Sequence, residues 1–354
     1  MSLSPDVSEG TCNDGYCVYI EPRFWGGRGI SFVTRPQIIE KAALEAMREH
    51  YQQEIVDTIA SEAFEESQIP GKGVGLIATR FLPKGELLVS EPPSLMVHLD
   101  MRDDMPKERR LQMQREGVNS LPASTKWEAL GLMGHWGGDQ VEDILDTNSF
   151  TVTLYKALDH HALFTQTARL NHDCRPNCMY TFNPRTLTQN VYTIQDVHPG
   201  EELTISYIDP SVTFKERQEM IQFWGFNCSC SACTLPAEAI LASDERVRLI
   251  NQYTSSLENW SAENNATPEM AKKLIELYKE EKLFCIIADG YKLAAYAYNA
   301  VRDRYNALRM ANFAINYGLQ SWRYMGGKMI DALQLLTSPE DHWTWGQRYT
   351  HAQS

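Results

Sequence analysis

Three cysteines within six residues, Cys228, Cys230 and Cys233, form the densest group of reactive side chains in the sequence. A chain of 354 residues with 43% hydrophobic residues can bury large cores, so it does not depend on the disulfide frameworks that stabilise small domains. We therefore interpret the Cys-x-Cys-x-x-Cys pattern as thiolates that bind a metal in a reducing compartment. Three thiolates leave tetrahedral Zn²⁺ one ligand short, and the nearest candidates in sequence for the fourth are Cys174 and Cys178.

Polar side chains are concentrated at residues 170–177, which read Leu-Asn-His-Asp-Cys-Arg-Pro-Asn. An Asn side chain offers a hydrogen-bond donor and an acceptor at once, which suits recognition of the edge of an adenine ring. Pro176 interrupts a helix, so Asn171 and His172 are predicted to lie in a loop. Taken alone, His172 is better explained as a polar group that satisfies a turn.

Two further motifs combine glycines with a strand. Residues 71–78 read Gly-Lys-Gly-Val-Gly-Leu-Ile-Ala, and residues 198–207 read His-Pro-Gly-Glu-Glu-Leu-Thr-Ile-Ser-Tyr. Glycines let a backbone approach a ligand closely, where a side chain would block it. The glycines of the first motif lie within a strand and not between a strand and a helix. They therefore fit neither a dinucleotide fingerprint nor a phosphate-binding loop.

In this order, the four motifs resemble those of the SET-domain protein lysine methyltransferases. They match the Gly-x-Gly strand, the Asn-His-x-Cys-x-Pro-Asn loop, the Gly-Glu-Glu-Leu-Thr segment that leads to a tyrosine, and the post-SET Cys-x-Cys-x-x-Cys. The resemblance covers about residues 71–233, and the chain looks most like the SET-and-MYND group and fungal SET proteins with helical C-terminal halves. The MYND zinc finger is absent here, because residues 99–147 contain no cysteine.

The resemblance implies S-adenosyl-L-methionine as the cofactor. Residues 72–75 resemble the turn that holds the methionine end of the cofactor. Asn171 and His172 fall where the family binds the adenosine, and Phe226 falls where an aromatic ring packs on the adenine. The cofactor-binding residues implied in this way are Lys72, Gly73, Val74, Gly75, Asn148, Asn171, His172, Tyr207 and Phe226.

The resemblance also implies a catalytic residue, a substrate channel and a complete metal site. Tyr207 matches the catalytic tyrosine of the family, and Tyr180 and Trp224 fall at the channel for the substrate lysine. In this subgroup the loop cysteine completes a structural zinc site, and Cys178 is then an ordinary free cysteine. The implied zinc ligands are Cys174, Cys228, Cys230 and Cys233.

Methyl transfer from a sulfonium ion to a lysine needs alignment and a neutral amine. An amine with a pKa near 10.4 is neutral only about once in 2,500 molecules at pH 7. A dry channel and the positive charge of the cofactor both lower that pKa. Tyr207 therefore needs only to orient the amine, and no strong base is required. The zinc would be structural, since it closes the loop that carries Phe226 over the cofactor.

Two residues depart from the family pattern. Asp173 stands where the loop commonly has serine, and Trp224 falls where relatives often place a tyrosine of the lysine channel. We expect both to bear on substrate choice and on the number of methyl groups transferred. They leave open a SET-fold enzyme that acts on a small metabolite. A non-catalytic scaffold is the other alternative, and the intact Tyr207 argues against it because an inactive enzyme has no need of that residue.

These motifs require an α+β fold that positions them. We predict a SET-domain β-fold of short sheets with a helical insert and a zinc-binding post-SET motif, followed by an all-α C-terminal domain that loosely resembles tetratricopeptide repeats. A helical run is also predicted over residues 35–64. The predicted domains are an N-terminal strand and helix region at 1–67, the SET domain at 68–225 with its insert at about 103–147, the post-SET motif at 226–235 and the helical domain at 236–354.

Net charge narrows the range of partners. The chain carries 33 Lys and Arg against 46 Asp and Glu residues, a formal charge of −13. A nucleic-acid binder needs a cationic face, so we predict no direct nucleic-acid contact and a basic peptide or protein as substrate. No apolar run is long enough to cross a bilayer, and residues 1–10 lack the pattern of a secretory signal. We therefore expect a cytoplasmic or nuclear protein, with the helical C-terminal domain as a candidate surface for a protein partner.

Overall fold

The computed structural model describes residues 7–39, 62–154, 158–261, 263–322 and 326–348. These residues fall into two compact units. The first unit is drawn from residues 1–76, 87–170 and 182–191, and the second from residues 77–86, 171–181 and 192–354. Most of the helix predicted over residues 35–64 lies outside the described residues. The domain borders expected from the sequence stay a prediction.

Thirteen strands run through the described ranges and are numbered in chain order. They are β1 (Ser8–Asn13), β2 (Tyr16–Glu21), β3 (Ile30–Thr34), β4 (Phe64–Ile69), β5 (Gly73–Ala78), β6 (Leu87–Glu91), β7 (Leu95–His98), β8 (Phe150–Leu154), β9 (Leu158–Leu163), β10 (Asn171–His172), β11 (Cys178–Asn183), β12 (Thr188–Thr193) and β13 (Glu202–Ile205).

Twelve helical segments and two short 3-10 turns, Thr167–Arg169 and Gln222–Trp224, lie in the same part of the chain. No described helix has both the length and the apolar composition that a membrane crossing needs. The helices are α1 (Phe24–Gly27), α2 (Pro36–Ile38), α3 (Met101–Asp104), α4 (Lys107–Asn119), α5 (Ala123–Leu130), α6 (Gln140–Asn148), α7 (Phe214–Ile221), α8 (Ala237–Glu258), α9 (Pro268–Glu280), α10 (Ile287–Ala300), α11 (Arg304–Ser321) and α12 (Gly327–Thr337).

The first unit is built on a six-stranded sheet with the order β1-β2-β3-β7-β9-β8. β3 and β7 run parallel, and the other neighbours are antiparallel. Successive side chains of a strand point to opposite faces, so Phe32 and Val33 of β3 belong to two different buried clusters. Both faces of the sheet are therefore covered, which explains why every residue of β3 is buried.

The N-terminal region contains two strands that the sequence analysis did not predict. β1 and β2 pair through a turn at Asp14 and Gly15, whose φ angles are +50° and +83°. Residues with a left-handed backbone conformation match the twist of a two-residue hairpin turn, and Asp-Gly is one of the sequences that favour such a turn. Cys12 and Cys17, whose role the sequence leaves open, are opposite residues of this hairpin and form a disulfide. The sequence predicts one strand in the N-terminal region, whereas the structure has three, β1 to β3.

The helical insert packs on one face of this sheet. Its helices α3 to α6 span residues 101–148, close to the predicted 103–147. Met113 of α4 and Ile144 of α6 share a buried cluster with Leu95 of β7. The carboxylate of Asp139 caps α6, because it accepts hydrogen bonds of 3.1 Å from two N–H groups of the first turn.

The second unit includes the C-terminal helices, which form the helical region that the sequence predicts. Helices α8 to α12 contribute to one buried cluster, and α10 lines it with a run of alanines. Small side chains let helices approach one another closely. A Cβ atom on Gly290 would lie 2.6 Å from the ring of Tyr278, so glycine is needed where α10 meets α9. The predicted α+β class with an all-α C-terminal part is confirmed.

Candidate functional site

Four buried cysteines come together in the second unit. The sulfur atoms of Cys174, Cys228, Cys230 and Cys233 all lie within 4.8 Å of one another. The Sγ of Cys174 is 3.8 Å from that of Cys228 and 3.6 Å from that of Cys233. Tetrahedral zinc with Zn–S bonds of about 2.3 Å separates its sulfur ligands by about 3.8 Å. These residues therefore fit a closed structural zinc site.

Close contact between the four thiols shifts their pKa values in opposite directions. Hydrogen bonds with the other sulfur atoms, first that with Cys228, raise the pKa of Cys174. The hydrogen bond with Cys174 lowers the pKa of Cys230 to about 5. Opposite shifts of this kind arise when crowded sulfur atoms share their protons. A divalent cation lets all four ionise together, since metal ligation requires the thiolate form.

Of the two candidate fourth ligands, the structure brings Cys174 and not Cys178 into the cluster. Cys178 is a buried free cysteine at the start of β11, and burial raises the pKa of its thiol to about 12. Cys174 follows β10, which pairs in parallel with β13 through His172 opposite Ile205. The N–H of Asp173 extends this pairing by donating to Ile205 O at 2.9 Å. The strand pair therefore fixes the start of the loop from which Cys174 projects.

His172 joins the cysteine cluster to the predicted catalytic tyrosine. Its Nδ1 accepts a hydrogen bond of 3.1 Å from the backbone N–H of Tyr207, so its ring proton lies on Nε2. Nε2 is 3.4 Å from the Sγ of Cys174 and donates to that sulfur. An N–H donor of this kind orients a ligating thiolate. The family resemblance implies that His172 contacts the adenosine of the cofactor, and this role stays a prediction.

Tyr207 follows the end of β13 and lies among aromatic rings. Its ring centroid is 5.4 Å from that of His172 and 5.2 Å from that of Trp224. The ring of Phe226 lies 6.2 Å from that of His172. Burial, and then the negative charge of Glu202, raise the pKa of Tyr207 above the usual tyrosine value. Its phenol therefore stays protonated at neutral pH and can orient a partner, but it is not an anionic base.

Amide side chains hold residues 171–177 against β13. Asn171 and His172, which the sequence predicts to lie in a loop, form the short strand β10, because they pair with β13. Asn171 Nδ2 donates to Glu202 Oε1 at 2.9 Å. Asn177 Nδ2 donates to Glu202 O at 2.8 Å, and its Oδ1 accepts from Thr204 N at 2.8 Å. Asn177 and Glu202 are contacts that the sequence analysis did not assign. Both residues lie within the quoted motifs, which were the only signal for them.

Residues near the cysteine cluster owe their positions to local turns. Gly225 ends the 3-10 turn that carries Trp224, and its φ of +76° is a conformation that favours glycine. The chain then leads to Phe226 and Cys228. Gln218 of α7 donates from Nε2 to Cys228 O at 3.4 Å. Trp224 therefore precedes Gly225, whereas Phe226 and the three clustered cysteines follow it.

The remaining predicted residues are distributed over both units. Tyr180 lies on β11, and burial raises its pKa. Asn148 ends α6, where its Nδ2 donates to Met133 O at 2.8 Å and to Ile144 O at 3.0 Å. Lys72 N donates to Ile69 O at 3.0 Å in the turn before β5. Asn148 and residues 72–75 belong to the first unit, and their cofactor roles stay predictions.

Comparison with known proteins decides the family. Residues 73–208 match the sequence model of the SET domain. These residues form a SET domain. Similar curated proteins are the histone-lysine N-methyltransferase set5 of Schizosaccharomyces pombe (27% identity, 63% of this chain and 67% of that protein), the N-lysine methyltransferase SMYD2 of Bos taurus (29%, 41% and 36%) and the histone-lysine N-methyltransferase SMYD3 of Homo sapiens (36%, 28% and 24%).

The SET-domain assignment agrees with the family that the four motifs predict. By name, the fission yeast, cattle and human relatives are lysine methyltransferases, and a SET and MYND domain-containing protein of Dictyostelium discoideum is also similar. This SET-domain protein spans 67% of the fission yeast relative, 36% of the cattle relative and 24% of the human relative. The predicted membership in the SET-domain family, close to the fungal and SET-and-MYND groups, is confirmed.

Proposed function

We propose that this SET-domain protein transfers a methyl group from S-adenosyl-L-methionine to a lysine of a protein substrate. The observation that carries the proposal is Tyr207, a protonated phenol beside His172 and Trp224 at the end of β13. The relatives named as histone-lysine and N-lysine methyltransferases support the same reaction. The substrate is a histone or another basic protein, since a chain of charge −13 attracts cationic partners.

Side chains of the second unit suit the adenosine end of this cofactor. When bound, S-adenosyl-L-methionine supplies an electrophilic methyl group on a positively charged sulfur. The half-buried ring of Phe226 offers a face for the adenine, and Asn171 would bind the adenosine as an amide that can both donate and accept. Glu202 provides negative charge close to Asn171, which suits a cationic ligand.

The residues of the chain align the amine and keep the site dry. Tyr207 orients the lysine nitrogen through its hydroxyl, and the rings of Trp224 and Tyr180 would exclude water from the channel. Exclusion of water favours the neutral amine, because a low dielectric disfavours the charged form. The zinc, held by the four cysteines, would keep Phe226 and Cys174 in place and would take no part in the chemistry.

The proposed function is tested by incubating the protein with radiolabelled S-adenosyl-L-methionine and either core histones, a basic non-histone protein or a panel of small amines. We expect label in the lysines of at least one protein substrate. Label only in a small amine would favour the metabolite-directed alternative. Tight cofactor binding without any transfer would favour the scaffold alternative. The four clustered cysteines are free thiols, which suits a reducing cytoplasm or nucleus, and localisation of the tagged protein checks this expectation.

Replacing Asn171 with alanine should weaken cofactor binding about tenfold or more, since a buried partner that loses its hydrogen bond costs about 1–3 kcal/mol. The substitution also removes the donor to Glu202 Oε1. Isothermal titration calorimetry measures the affinity. Asn251→Ala is the matched control, because Asn251 is exposed and its Nδ2 makes a comparable 3.0 Å hydrogen bond to Ser211 O. Equal affinities of the two variants would remove Asn171 from the cofactor site.

The rate of methyl transfer should rise between about pH 7 and about pH 9.5, because the neutral fraction of lysine increases about tenfold per pH unit there. Burial, and then Glu202, raise the pKa of Tyr207 above its usual value, so its hydroxyl is retained over this range. Initial rates at saturating cofactor measure the profile. A decline within this range, in protein that stays folded, would mean that the hydroxyl ionises and that the role assigned to Tyr207 is wrong.

A further inference from the structure

A buried ion pair links the loop of residues 170–177 to the C-terminal helices. Arg175 and Glu281 have side chains that are only 5% and 4% exposed, and Arg175 Nη2 lies 2.7 Å from Glu281 Oε2. Glu281 also accepts hydrogen bonds from Ser243 Oγ at 2.7 Å and from Arg246 Nε at 2.6 Å. Burial acts to raise the pKa of Glu281, but these hydrogen bonds lower it below its usual value. The carboxylate is therefore charged.

The same guanidinium contacts the backbone on both sides of the candidate site. Arg175 Nη1 donates to Cys174 O at 2.8 Å and to Pro210 O at 3.2 Å. Cys174 is the metal ligand contributed by the loop, and Pro210 lies three residues after Tyr207. Arg175 therefore holds together two segments that are distant in sequence, and Glu281 holds Arg175.

Stability alone does not account for this arrangement. Removing two charges from water costs several kcal/mol per ion, and well-packed apolar residues often stabilise a core at least as much as a buried pair does. A buried pair with several hydrogen bonds fixes one geometry, since each donor and acceptor has a set direction. The geometry fixed here is that of the backbone at Cys174 and Pro210.

We propose that Glu281, at the end of α9 in the C-terminal helical region, is a positioning residue for the candidate site. It holds Arg175, and through Arg175 it keeps Cys174 directed at the other three thiols and keeps the Tyr207–Pro210 segment in place. The C-terminal helices thus contribute to metal retention and to cofactor binding. The part of this inference that concerns the cofactor rests on the proposed function, whereas the part that concerns the metal does not.

The neighbouring Glu280 provides a matched control. Its side chain is 59% exposed, and its carboxylate lies 3.2 Å from Arg246 Nη1, so it shares a partner with Glu281. Exposed ion pairs contribute little to stability. Glu280→Gln removes the same charge one residue away without touching Arg175. A difference between Glu280→Gln and Glu281→Gln therefore reports the loss of the buried Arg175–Glu281 ion pair and not the change in net charge.

The experiment measures the release of zinc from the intact protein to a coloured chelator, together with the affinity for S-adenosyl-L-methionine. We expect Glu281→Gln to release zinc about tenfold faster than the parent and to bind the cofactor about tenfold more weakly, the scale of a lost outer-sphere contact. Glu280→Gln should match the parent in both. Parental zinc release and cofactor affinity in Glu281→Gln would overturn the proposal, even if its melting temperature were lower.

A double variant separates positioning from stability. Arg175→Met leaves Glu281 buried without this partner, so it should lower the melting temperature, whereas Arg175→Met/Glu281→Met removes both charges and should recover much of that loss. If Glu281 has a positioning role, the double variant still releases zinc faster than the parent, because the Arg175–Glu281 ion pair that positions Cys174 is absent. Parental zinc release in the folded double variant, or its failure to fold, would assign the pair to stability and overturn the proposal. A parent that retains zinc but binds no cofactor would contradict the proposed function alone.

Discussion

Replacing Tyr207 with phenylalanine is expected to lower methyl transfer by about a hundredfold or more while leaving cofactor affinity nearly unchanged. The substitution keeps the ring that packs near His172 and Trp224 and removes only the hydroxyl. In the proposed mechanism that hydroxyl orients the amine in the transition state, so its loss should lower kcat with little effect on binding. Single-turnover rates with labelled cofactor and a basic protein substrate measure the effect.

Tyr278→Phe is the control for the loss of a buried tyrosine hydroxyl. Tyr278 packs in the C-terminal helical cluster, and burial raises its pKa to about 12. Its variant should lose some thermal stability and retain the parental rate of transfer. Transfer by Tyr207→Phe at the parental rate would show that the proposed mechanism is wrong. A rate reduced equally in both variants would point to a general loss of folded structure.

Replacing Cys174 with alanine should remove the zinc ion and abolish cofactor binding. Three thiolates cannot complete a closed tetrahedral site, and structural zinc contributes directly to folding. Without the metal, the segment that carries Phe226 and the cysteine cluster should lose its fixed geometry. Elemental analysis of protein purified under reducing conditions measures the zinc, and calorimetry measures the affinity for S-adenosyl-L-methionine.

Cys178→Ala provides the matched comparison, since both residues are buried cysteines and lie four positions apart. We expect Cys178→Ala to keep one zinc ion per chain and parental cofactor affinity, because a buried unligated thiol behaves as a small apolar side chain. Loss of zinc from Cys178→Ala, together with retention of zinc in Cys174→Ala, would mean that Cys178 is the fourth zinc ligand and Cys174 is the free cysteine. An absence of zinc from the reduced parent would exclude the metal site altogether.

The spacing of residues along the sequence was sufficient to predict a large part of the candidate site. In the Cys-x-Cys-x-x-Cys motif the three ligands are so close in sequence that a short turn brings their sulfur atoms together, whatever the rest of the fold. The segment of residues 198–207 likewise places Tyr207 just after a strand, because a glycine turn is followed by a short run of buried residues. The change from strand alternation to helical spacing near residue 236 was sufficient for the α+β class with a helical C-terminal region.

A local signal in the sequence can also be present without leading to a prediction. The Asp14–Gly15 pair is a hairpin signal in the sequence, yet β1 and β2 were not predicted. The edge strand β1 has exposed and half-buried residues, and its alternation is weaker than that of a core strand. Pairing with β2 stabilises it, and that pairing brings β1 to β3 into one sheet with β7 to β9. A strand of this kind depends on its partner more than on its own composition.

Contacts between residues that are distant in sequence depend on the tertiary structure. The sequence by itself left Cys174 and Cys178 as equal candidates, and the family resemblance selected Cys174. The structure supplies the reason, since the parallel pairing of β10 with β13 directs Cys174 toward the other thiols and leaves Cys178 on β11. Arg175 and Glu281 are 106 residues apart, and no spacing rule connects them. Short-range geometry follows from the chain, whereas contacts across such separations depend on how strands and helices pack, which a single sequence does not encode in any local pattern.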